Sequence, residues 1–340
     1  MMIMHTFAAD RYDRMVYRKC GRWGLKLPAV SLGAWQTYGG YVDDDTSRQC
    51  LYRAFDLGIT HFDLANNYGE PNGNAEVVVG RILQDMPRDE LIISTKAGYD
   101  MWPGPYGEWL SKKYIVASCN QSLKRLGLEY VDLFYAHRPD PDTPTEEVMA
   151  ALDLLVRQGK ALYIGLSNHC GAEIREKHRY TVRHDTAPIL INQNAYNLLR
   201  RGVERTVLPA CAELGMGMIA FCPLAQGDLS GKYLADKPPP DSRLARSRDE
   251  CALRLADPKK RKPIQALNQI ARRRGQSLAQ MAIAWILRRP EVTSVVIGAS
   301  RPGQIDEDVA ALQNIEFTPG ELDEIDRICA EAQGASRSGI

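Results

Sequence analysis

Short apolar runs recur along the chain and alternate with segments whose apolar positions follow a helical spacing. Several runs are apolar without polar alternation, which is typical of parallel strands that are covered by helices. The pattern predicts eight strands, at residues 29–33, 59–63, 91–96, 131–137, 162–166, 189–193, 217–221 and 294–298. Each is followed by a helix or by a loop long enough to lead into one, so the chain is predicted to be an α/β protein with a (β/α)8 TIM barrel.

Capping residues predict where several helices begin and end. Ser111 is suited to cap a helix over residues 112–126, which Gly127 would stop. Glycines also end the helical patterns at residues 46–57 and 145–158. Ser277 begins the last helix before the final strand, at residues 278–287.

No change in composition indicates a linker, so residues 1–340 are predicted to form one domain with a core at about residues 15–328. Residues 15–28 precede the first barrel strand, and a turn at residues 20–22 predicts a β-hairpin at the closed end of the barrel. Two βα loops are long, at residues 98–110 and 223–262. Loops of this length commonly have functional roles.

Composition excludes several classes of function. The formal net charge is +1, which leaves no basic excess for nucleic acid or an anionic membrane. The apolar runs are too short to span a bilayer, and the N-terminus lacks the basic and apolar regions of a secretory signal. The eight cysteines are scattered singly, which favours reduced thiols in a cytoplasmic protein.

Two glycine-rich segments fail as phosphate-binding motifs. Residues 215–220 match G-x-G-x-x-A, but a helix precedes them and a strand follows, the reverse of a dinucleotide-binding fold. Residues 227–232 are one residue short of a phosphate loop, and Tyr233 stands where a magnesium-binding Ser or Thr belongs.

Four chemically capable side chains lie at or just beyond the carboxyl ends of three predicted strands. They are Asp63, Tyr68, Lys96 and His137. In a barrel of this kind the active site is built at that end, which favours an enzyme. Singly, Asp63–Lys96 would be interpreted as a structural ion pair and His137 as a core histidine, but their joint placement makes these alternatives weak.

The four residue types suit carbonyl reduction, which delivers a hydride to carbon and a proton to oxygen. Tyr68 is the predicted proton donor, because an ammonium at Lys96 would favour its phenolate and lower the pKa of the phenol. Asp63 would keep Lys96 charged and oriented. His137 would donate a hydrogen bond to the carbonyl oxygen.

A catalytic metal is the weaker interpretation of the same strand ends. His61 and Asp63 are both capable of binding a metal, but a hydrolase of that kind needs further ligands at other strand ends. We predict no metal.

Local sequences at these positions resemble the aldo-keto reductases over residues 17–325. The motifs are Phe62-Asp-Leu-Ala-Asn-Asn-Tyr-Gly69 and residues 94–97, 133–137, 165–168, 223–233 and 297–301. Within that family the chain is similar to the branch that holds potassium-channel β subunits and bacterial reductases. The resemblance implies a barrel fold, the catalytic tetrad Asp63, Tyr68, Lys96 and His137, and NADPH as the cofactor.

The resemblance also implies which residues bind NADPH. Trp35 would border the nicotinamide, Phe221 would stack on its ring, and Asp63 would lie beside it. The carboxamide would be held by Ser167, Asn168 and Gln193. The pyrophosphate would be wrapped by Cys222, Leu224, Gln226 and Lys232, with Arg243 closing over it. The adenosine end would contact Gly298, Ser300, Arg301, Gln304, Glu307 and Asp308.

Several positions at the adenosine and pyrophosphate ends affect the expected cofactor affinity. Pro302 suits a helix start, so backbone N–H groups near Ser300 would face a phosphate, and Arg301 would favour the 2′-phosphate of NADPH. The alternative for Arg301 is a solvated surface charge. Asp308 replaces the Asn usual in this branch, and a carboxylate cannot donate a hydrogen bond. Cys222 replaces a usual Ser or Thr.

The resemblance of residues 95–107 to bacterial members narrows the expected substrate to L-glyceraldehyde 3-phosphate, with methylglyoxal-like aldehydes as others. The candidates for holding a substrate phosphate are Lys112, Lys113, Arg138 and Arg243. A homo-oligomer, tetramer or octamer, is expected from resemblance alone. The alternative function is an NADPH-binding, redox-sensing subunit with slow turnover.

Overall fold

A closed barrel of parallel strands forms the centre of the fold, and a short antiparallel hairpin precedes it. The computed structural model describes residues 5–234 and 258–337. The hairpin strands are β1 (Tyr17–Lys19) and β2 (Lys26–Pro28). The barrel strands are β3 (Val30–Gly33), β4 (His61–Asp63), β5 (Ile92–Ala97), β6 (Val131–Ala136), β7 (Ala161–Ser167), β8 (Ile189–Ala195), β9 (Gly217–Phe221) and β10 (Val292–Ile297).

The barrel strands follow one another around the ring in chain order, and β10 pairs with β3 to close it. Every residue of β6 and of β10 is buried, as expected for strands that face the barrel interior on one side and helices on the other. The predicted (β/α)8 barrel with an N-terminal hairpin is confirmed.

Helices separate most of the strands. They are α1 (Asp44–Asp56), α2 (Asn74–Leu83), α3 (Lys112–Leu126), α4 (Thr145–Arg157), α5 (Gly171–His184), α6 (Val203–Leu214), α7 (Pro258–Arg273), α8 (Leu278–Leu287), α9 (Pro302–Val309) and α10 (Pro319–Arg337). Short 3-10 helices occur at Arg88–Glu90, Ala225–Ser230 and Ala310–Gln313.

The predicted capping residues define both ends of α3, whereas the starts of α1 and α7 differ from the prediction. The Ser111 side chain accepts the N–H of Tyr114, and Gly127 ends α3 in the left-handed region at φ 65°. Helix α1 begins two residues before the predicted start, because the Asp43 side chain accepts the N–H of Thr46 at 2.8 Å. Helix α7 begins inside the predicted loop 223–262, at Pro258, whose fixed φ suits a first helical turn.

The hairpin covers the amino-terminal end of the barrel. Cys20 and Leu27 pack into a buried cluster with barrel residues that include Tyr135. The N–H of Arg22 donates to the Gly215 carbonyl at 3.0 Å. Gly21 lies at φ +59°, and a Cβ there would be 2.3 Å from that same carbonyl oxygen, so this turn requires glycine. The predicted catalytic residues belong to the opposite end of the barrel, where the strands have their carboxyl ends.

The chain divides into two compact units. The first comprises Met1–Asn194, Gly202–Phe221 and Glu291–Asp306, and contains the hairpin and the eight barrel strands except Ala195, the last residue of β8. The second comprises Ala195–Arg201, Cys222–Pro290 and Glu307–Ile340, and contains α7, α8 and α10. The single domain stays a prediction.

Candidate active site

The carboxyl ends of three neighbouring strands carry the predicted catalytic residues. Asp63 ends β4, Lys96 lies one residue before the end of β5, and His137 directly follows β6. These strands pair in parallel, with Asp63 beside Ser94 and Lys96 beside Tyr135. Parallel pairing therefore places the side chains at one end of the barrel, although they are distant in the sequence.

Asp63 and Lys96 form a buried ion pair. The Lys96 Nζ lies 2.6 Å from Asp63 Oδ2, and its ammonium also donates to the Leu64 carbonyl at 2.7 Å. Burial acts to raise the pKa of Asp63, but the charge of Lys96, the neighbouring His61 and two donated hydrogen bonds outweigh it and lower that pKa. Burial also lowers the pKa of Lys96, and Asp63 offsets part of that effect. The carboxylate is thus held in its charged form.

Tyr68 lies beside Lys96, and His137 lies beside Tyr68. The Lys96 Nζ is 3.4 Å from the Tyr68 hydroxyl oxygen, and the rings of Tyr68 and His137 are 5.8 Å apart between centroids. Burial lowers the pKa of His137 well below its usual range, and the positive charges of Lys96 and Arg138 lower it further. The imidazole is therefore neutral, with one N–H to donate. The structure brings all four predicted catalytic residues together.

Three residues predicted to hold the nicotinamide carboxamide also lie at these strand ends. Ser167 ends β7 and is buried, and Asn168 follows it at φ 61°, where its side chain donates to the His137 carbonyl at 2.9 Å. Gln193 is a residue of β8, and its amide donates to Asp63 Oδ1 at 3.0 Å. Amides and a hydroxyl are the groups that pair with a carboxamide, so this donor set fits one.

The remaining cofactor predictions in the first unit fall on strand ends and on the start of α9. Trp35, beyond β3, is 39% exposed although it is a large aromatic residue, and Phe221 is half-buried at the end of β9. Gly298 directly follows β10. The N–H of Ser300, which was predicted to face a phosphate, donates to the Gln304 side chain at 2.8 Å. Arg301 is exposed.

The other predicted cofactor residues lie in the second unit. They are Cys222, Leu224, Gln226, Lys232, Glu307 and Asp308, while Arg243 lies outside the described residues. Positive φ angles recur between Cys222 and Gly227, and these include 59° at Gln226. The N–H groups of Ala225 and Gly227 donate within this segment, to the Cys222 and Leu224 carbonyls at 3.0 and 2.9 Å, and the pyrophosphate contact stays a prediction.

Asp308 is 4% exposed. Burial raises its pKa to about 7, the charge of Glu307 adds to that rise, and Lys232 opposes it. The prediction that Asp308 cannot donate a hydrogen bond therefore applies only to its ionised form. The protonated acid has one donor and resembles the amide of an Asn.

The predicted loop at residues 98–110 is ordered around Arg138. The guanidinium lies between the rings of Tyr99 and Trp109, 4.3 and 3.8 Å from their centroids, and pairs with Glu108. Its Nε donates to the Gly98 carbonyl at 2.9 Å. The Tyr99 ring in turn meets the His137 ring edge-on, with centroids 4.7 Å apart. The loop therefore forms one wall beside His137.

The candidates for a substrate phosphate differ in their surroundings. Arg138 is engaged by the loop, and the Lys113 ammonium lies 5.3 Å from the Tyr106 ring centroid. The backbone N–H of Lys112 donates to Glu147 at 2.9 Å. Within residues 5–234 and 258–337, no group of three or more His, Cys, Asp or Glu is placed to hold a metal ion.

The sequence prediction omitted two residues that are connected to Asp63, Ser94 by a hydrogen bond and His61 through its contact with Ser94. Ser94 donates its hydroxyl to Asp63 Oδ1 at 2.7 Å, and His61 contacts Ser94 at 3.0 Å. His61 was considered only as a metal ligand. Both residues precede a predicted catalytic residue by two positions on a strand, so strand alternation alone would have placed them on the same inward face.

The family model for the aldo/keto reductase family matches residues 29–330. The chain belongs to the aldo/keto reductase family, and the resemblance predicted from its motifs is confirmed. It is therefore an oxidoreductase of the class that uses NAD(P)H, which confirms the prediction of an enzyme.

Two similar proteins add detail to the family assignment. The chain is 50% identical over 333 residues to the L-glyceraldehyde 3-phosphate reductase of Escherichia coli strain K12, and the match covers 95% of each chain. It is 40% identical over 322 residues to a putative voltage-gated potassium channel subunit beta of Schizosaccharomyces pombe, with 92% of each chain covered. None of the helices in the part of the chain that the structure describes has the length and apolar character to cross a membrane.

Proposed function

We propose that this chain reduces small aldehydes with NADPH, and that L-glyceraldehyde 3-phosphate is its best substrate and methylglyoxal a further one. The observation that carries the reaction is the position of the Lys96 ammonium, 2.6 Å from the Asp63 carboxylate and 3.4 Å from the Tyr68 hydroxyl. The substrate is inferred from the 50% identical reductase of Escherichia coli.

Bound NADPH would supply the hydride that attacks the carbonyl carbon. Tyr68 would give its proton to the carbonyl oxygen as negative charge develops there, and the adjacent ammonium of Lys96 would stabilise the phenolate left behind. Neutral His137 would donate a hydrogen bond to the same oxygen and orient the carbonyl. Asp63 would keep Lys96 in place during both the hydride transfer and the proton transfer.

Cofactor binding follows the predicted residues. Ser167, Asn168 and Gln193 would hold the carboxamide, with Trp35 and Phe221 bordering the ring. The residues of the second unit remain predicted contacts for the pyrophosphate and adenosine. Arg301 would select NADPH, so Arg301→Ala should lower the ratio of NADPH to NADH efficiency by more than tenfold, measured as kcat/KM with each cofactor.

The test of the reaction is Tyr68→Phe, which removes one oxygen. NADPH oxidation with a panel of small aldehydes should fall by at least about a hundredfold, while thermal unfolding and NADPH binding stay as in the parent. Tyr17→Phe is the matched control, because the Tyr17 hydroxyl donates to the Gly58 carbonyl in the hairpin region, and it should retain turnover. Near-parental turnover in Tyr68→Phe would assign the proton to another donor.

A second function is favoured by the channel-subunit relatives: a redox-sensing subunit that binds NADPH and turns over slowly. Steady-state kinetics distinguish the reductase from the redox-sensing subunit. Several turnovers per second with a small aldehyde, in the ordinary range for enzymes, favour the reductase. Tight NADPH binding with far slower turnover favours the sensor. Cytoplasmic location and homo-oligomerisation stay predictions, to be checked by fractionation and light scattering.

A further inference from the structure

A line of short polar contacts crosses the buried interior of the barrel and ends on the catalytic carboxylate. The Ser294 hydroxyl donates to the Pro28 carbonyl at 2.6 Å and lies 2.6 Å from the Ser31 hydroxyl. The Ser31 oxygen is 2.8 Å from His61 Nδ1. His61 Nε2 is 3.0 Å from the Ser94 oxygen, and Ser94 donates to Asp63 Oδ1 at 2.7 Å.

The number of hydrogens determines how these contacts are made. Each serine hydroxyl has one hydrogen, and a neutral imidazole has one N–H. The five contacts therefore share four hydrogens unless His61 is protonated. His61 is fully buried, and burial lowers its pKa to about 4, so the ring is neutral near pH 7. One contact in the line must lack a hydrogen.

The bonds at the two ends of the line decide where the missing hydrogen falls. A hydrogen bond to a carboxylate is stronger than one between neutral groups, so Ser94 keeps its hydrogen on Asp63. The Ser294 hydrogen lies on the Pro28 carbonyl, so the 2.6 Å contact between Ser31 and Ser294 takes the hydrogen of Ser31. His61 then donates from Nδ1 to the Ser31 oxygen at 2.8 Å. The missing hydrogen falls on the longest contact, the 3.0 Å between His61 Nε2 and the Ser94 oxygen.

We propose that Ser94 is a positioning residue that orients Asp63 toward Lys96 and keeps it ionised, and that the neighbouring His61 is the Nδ1–H tautomer. The hydrogens of His61, Ser31 and Ser294 then all point toward Pro28, and such aligned chains strengthen each member. The inference rests on the proposed reductase function, because its effect on turnover passes through Asp63, Lys96 and Tyr68.

Other charged and polar groups also act on Asp63 and Lys96, and they influence how the ion pair responds to pH. His61 faces it from its own strand, Lys96 from β5 and Tyr135 from β6, while Gln193 of β8 donates to Oδ1. Glu76 and Tyr68 act on Lys96 rather than on Asp63. Of the donors to Asp63 Oδ1, Ser94 is the one that connects the carboxylate to a histidine.

The kinetic test is Ser94→Ala. The variant loses a hydrogen bond that favours the charged carboxylate, so the pKa of Asp63 rises and the acid limb of the kcat profile moves up by about one pH unit. One pH unit corresponds to a tenfold change in an equilibrium constant, so kcat at a given pH on the acid limb should fall about tenfold with KM nearly unchanged. At neutral pH Asp63 stays ionised in the variant, and kcat should change little. A merely structural serine would leave the acid limb in place.

Two further variants separate this effect from damage to the fold. Ser94→Thr keeps the hydroxyl and should restore the acid limb toward its parental position. Ser47→Ala removes an equally buried hydroxyl that donates to the Asp43 carbonyl at 2.8 Å in α1, and should leave kcat and the acid limb unchanged. An unmoved acid limb in a folded Ser94→Ala protein would overturn the proposal.

A measurement without turnover tests the tautomer itself. In protein labelled with ¹⁵N-histidine, the His61 signals, identified by their loss in His61→Gln, should show a protonated Nδ1 and a bare Nε2 between about pH 6 and pH 8. A hydrogen on Nε2, or on both nitrogens, would overturn the proposal. If the chain reduces no aldehyde, the proposed function fails, but this spectrum still decides the hydrogen assignment.

Discussion

Asp63 and Asp308 are both buried aspartates, but their surroundings shift their pKa values in opposite directions. Asp63 has an ammonium at 2.6 Å and hydrogen bonds from Ser94 and Gln193, and its pKa is lowered. Asp308 is about as buried, and burial raises its pKa to about 7, because Glu307 adds a like charge and Lys232 compensates only in part. Burial acts to raise both pKa values, and the charged partners decide whether that rise is outweighed.

Of the variants that test this comparison, Lys96→Met should have the largest effect on stability and turnover. Removing the ammonium leaves Asp63 as a buried charge without its main partner, which typically costs about 3–5 kcal/mol of unfolding free energy. Turnover should fall by at least about a hundredfold, because Tyr68 also loses its neighbouring positive charge. Chemical denaturation and NADPH oxidation measure the two effects.

The double variant Lys96→Met with Asp63→Asn is its control. Replacing the carboxylate by an amide removes the unpaired charge, so the double variant should regain a substantial part of the lost stability while staying inactive. Equal stability of the single and double variants would mean that Asp63 carries no charge in the Lys96→Met protein.

Asp308→Asn tests the other aspartate. The folded pKa of about 7 lies above the usual 3.8, so the folded state binds more protons between those values. Stability of the parent should fall as the pH rises through that window, by up to about 4 kcal/mol. The isosteric amide cannot ionise, so Asp308→Asn should flatten this dependence and be more stable than the parent at pH 8.

Thermal unfolding of parent and variant across pH 4 to pH 8 measures that difference. Identical slopes in the two proteins would show that Asp308 titrates at its ordinary pKa. The predicted adenosine contact adds a second readout: NADPH should bind the variant more tightly than the parent at pH 8, and about equally at pH 6.

Glu307→Gln should have the smallest effect. Glu307 is exposed and acts on Asp308 only through its charge, which solvent screens. The midpoint of the pH-dependent stability should move down by a few tenths of a pH unit. A shift of more than one unit would make the like charge, rather than burial, the dominant cause.

Strand positions were predictable to within one or two residues at most ends, because buried parallel strands have a distinctive apolar pattern. Gly217–Phe221 was predicted without error, and Asp63, Lys96 and His137 follow from strand ends alone. The start of α1 was missed by two residues because Asp43 and Thr46 both suit a cap, and the choice depends on side-chain geometry. Ser94 and the charge state of Asp308 were missed because they depend on neighbours that only the fold brings together.

The stacking of Arg138 between Tyr99 and Trp109 has a consequence for how a substrate enters. The wall beside His137 is held by a cation–π sandwich, an ion pair and a backbone contact before any ligand arrives. Little conformational entropy is then left to be lost on association. Selectivity on this side should come from a preorganised shape rather than from induced fit.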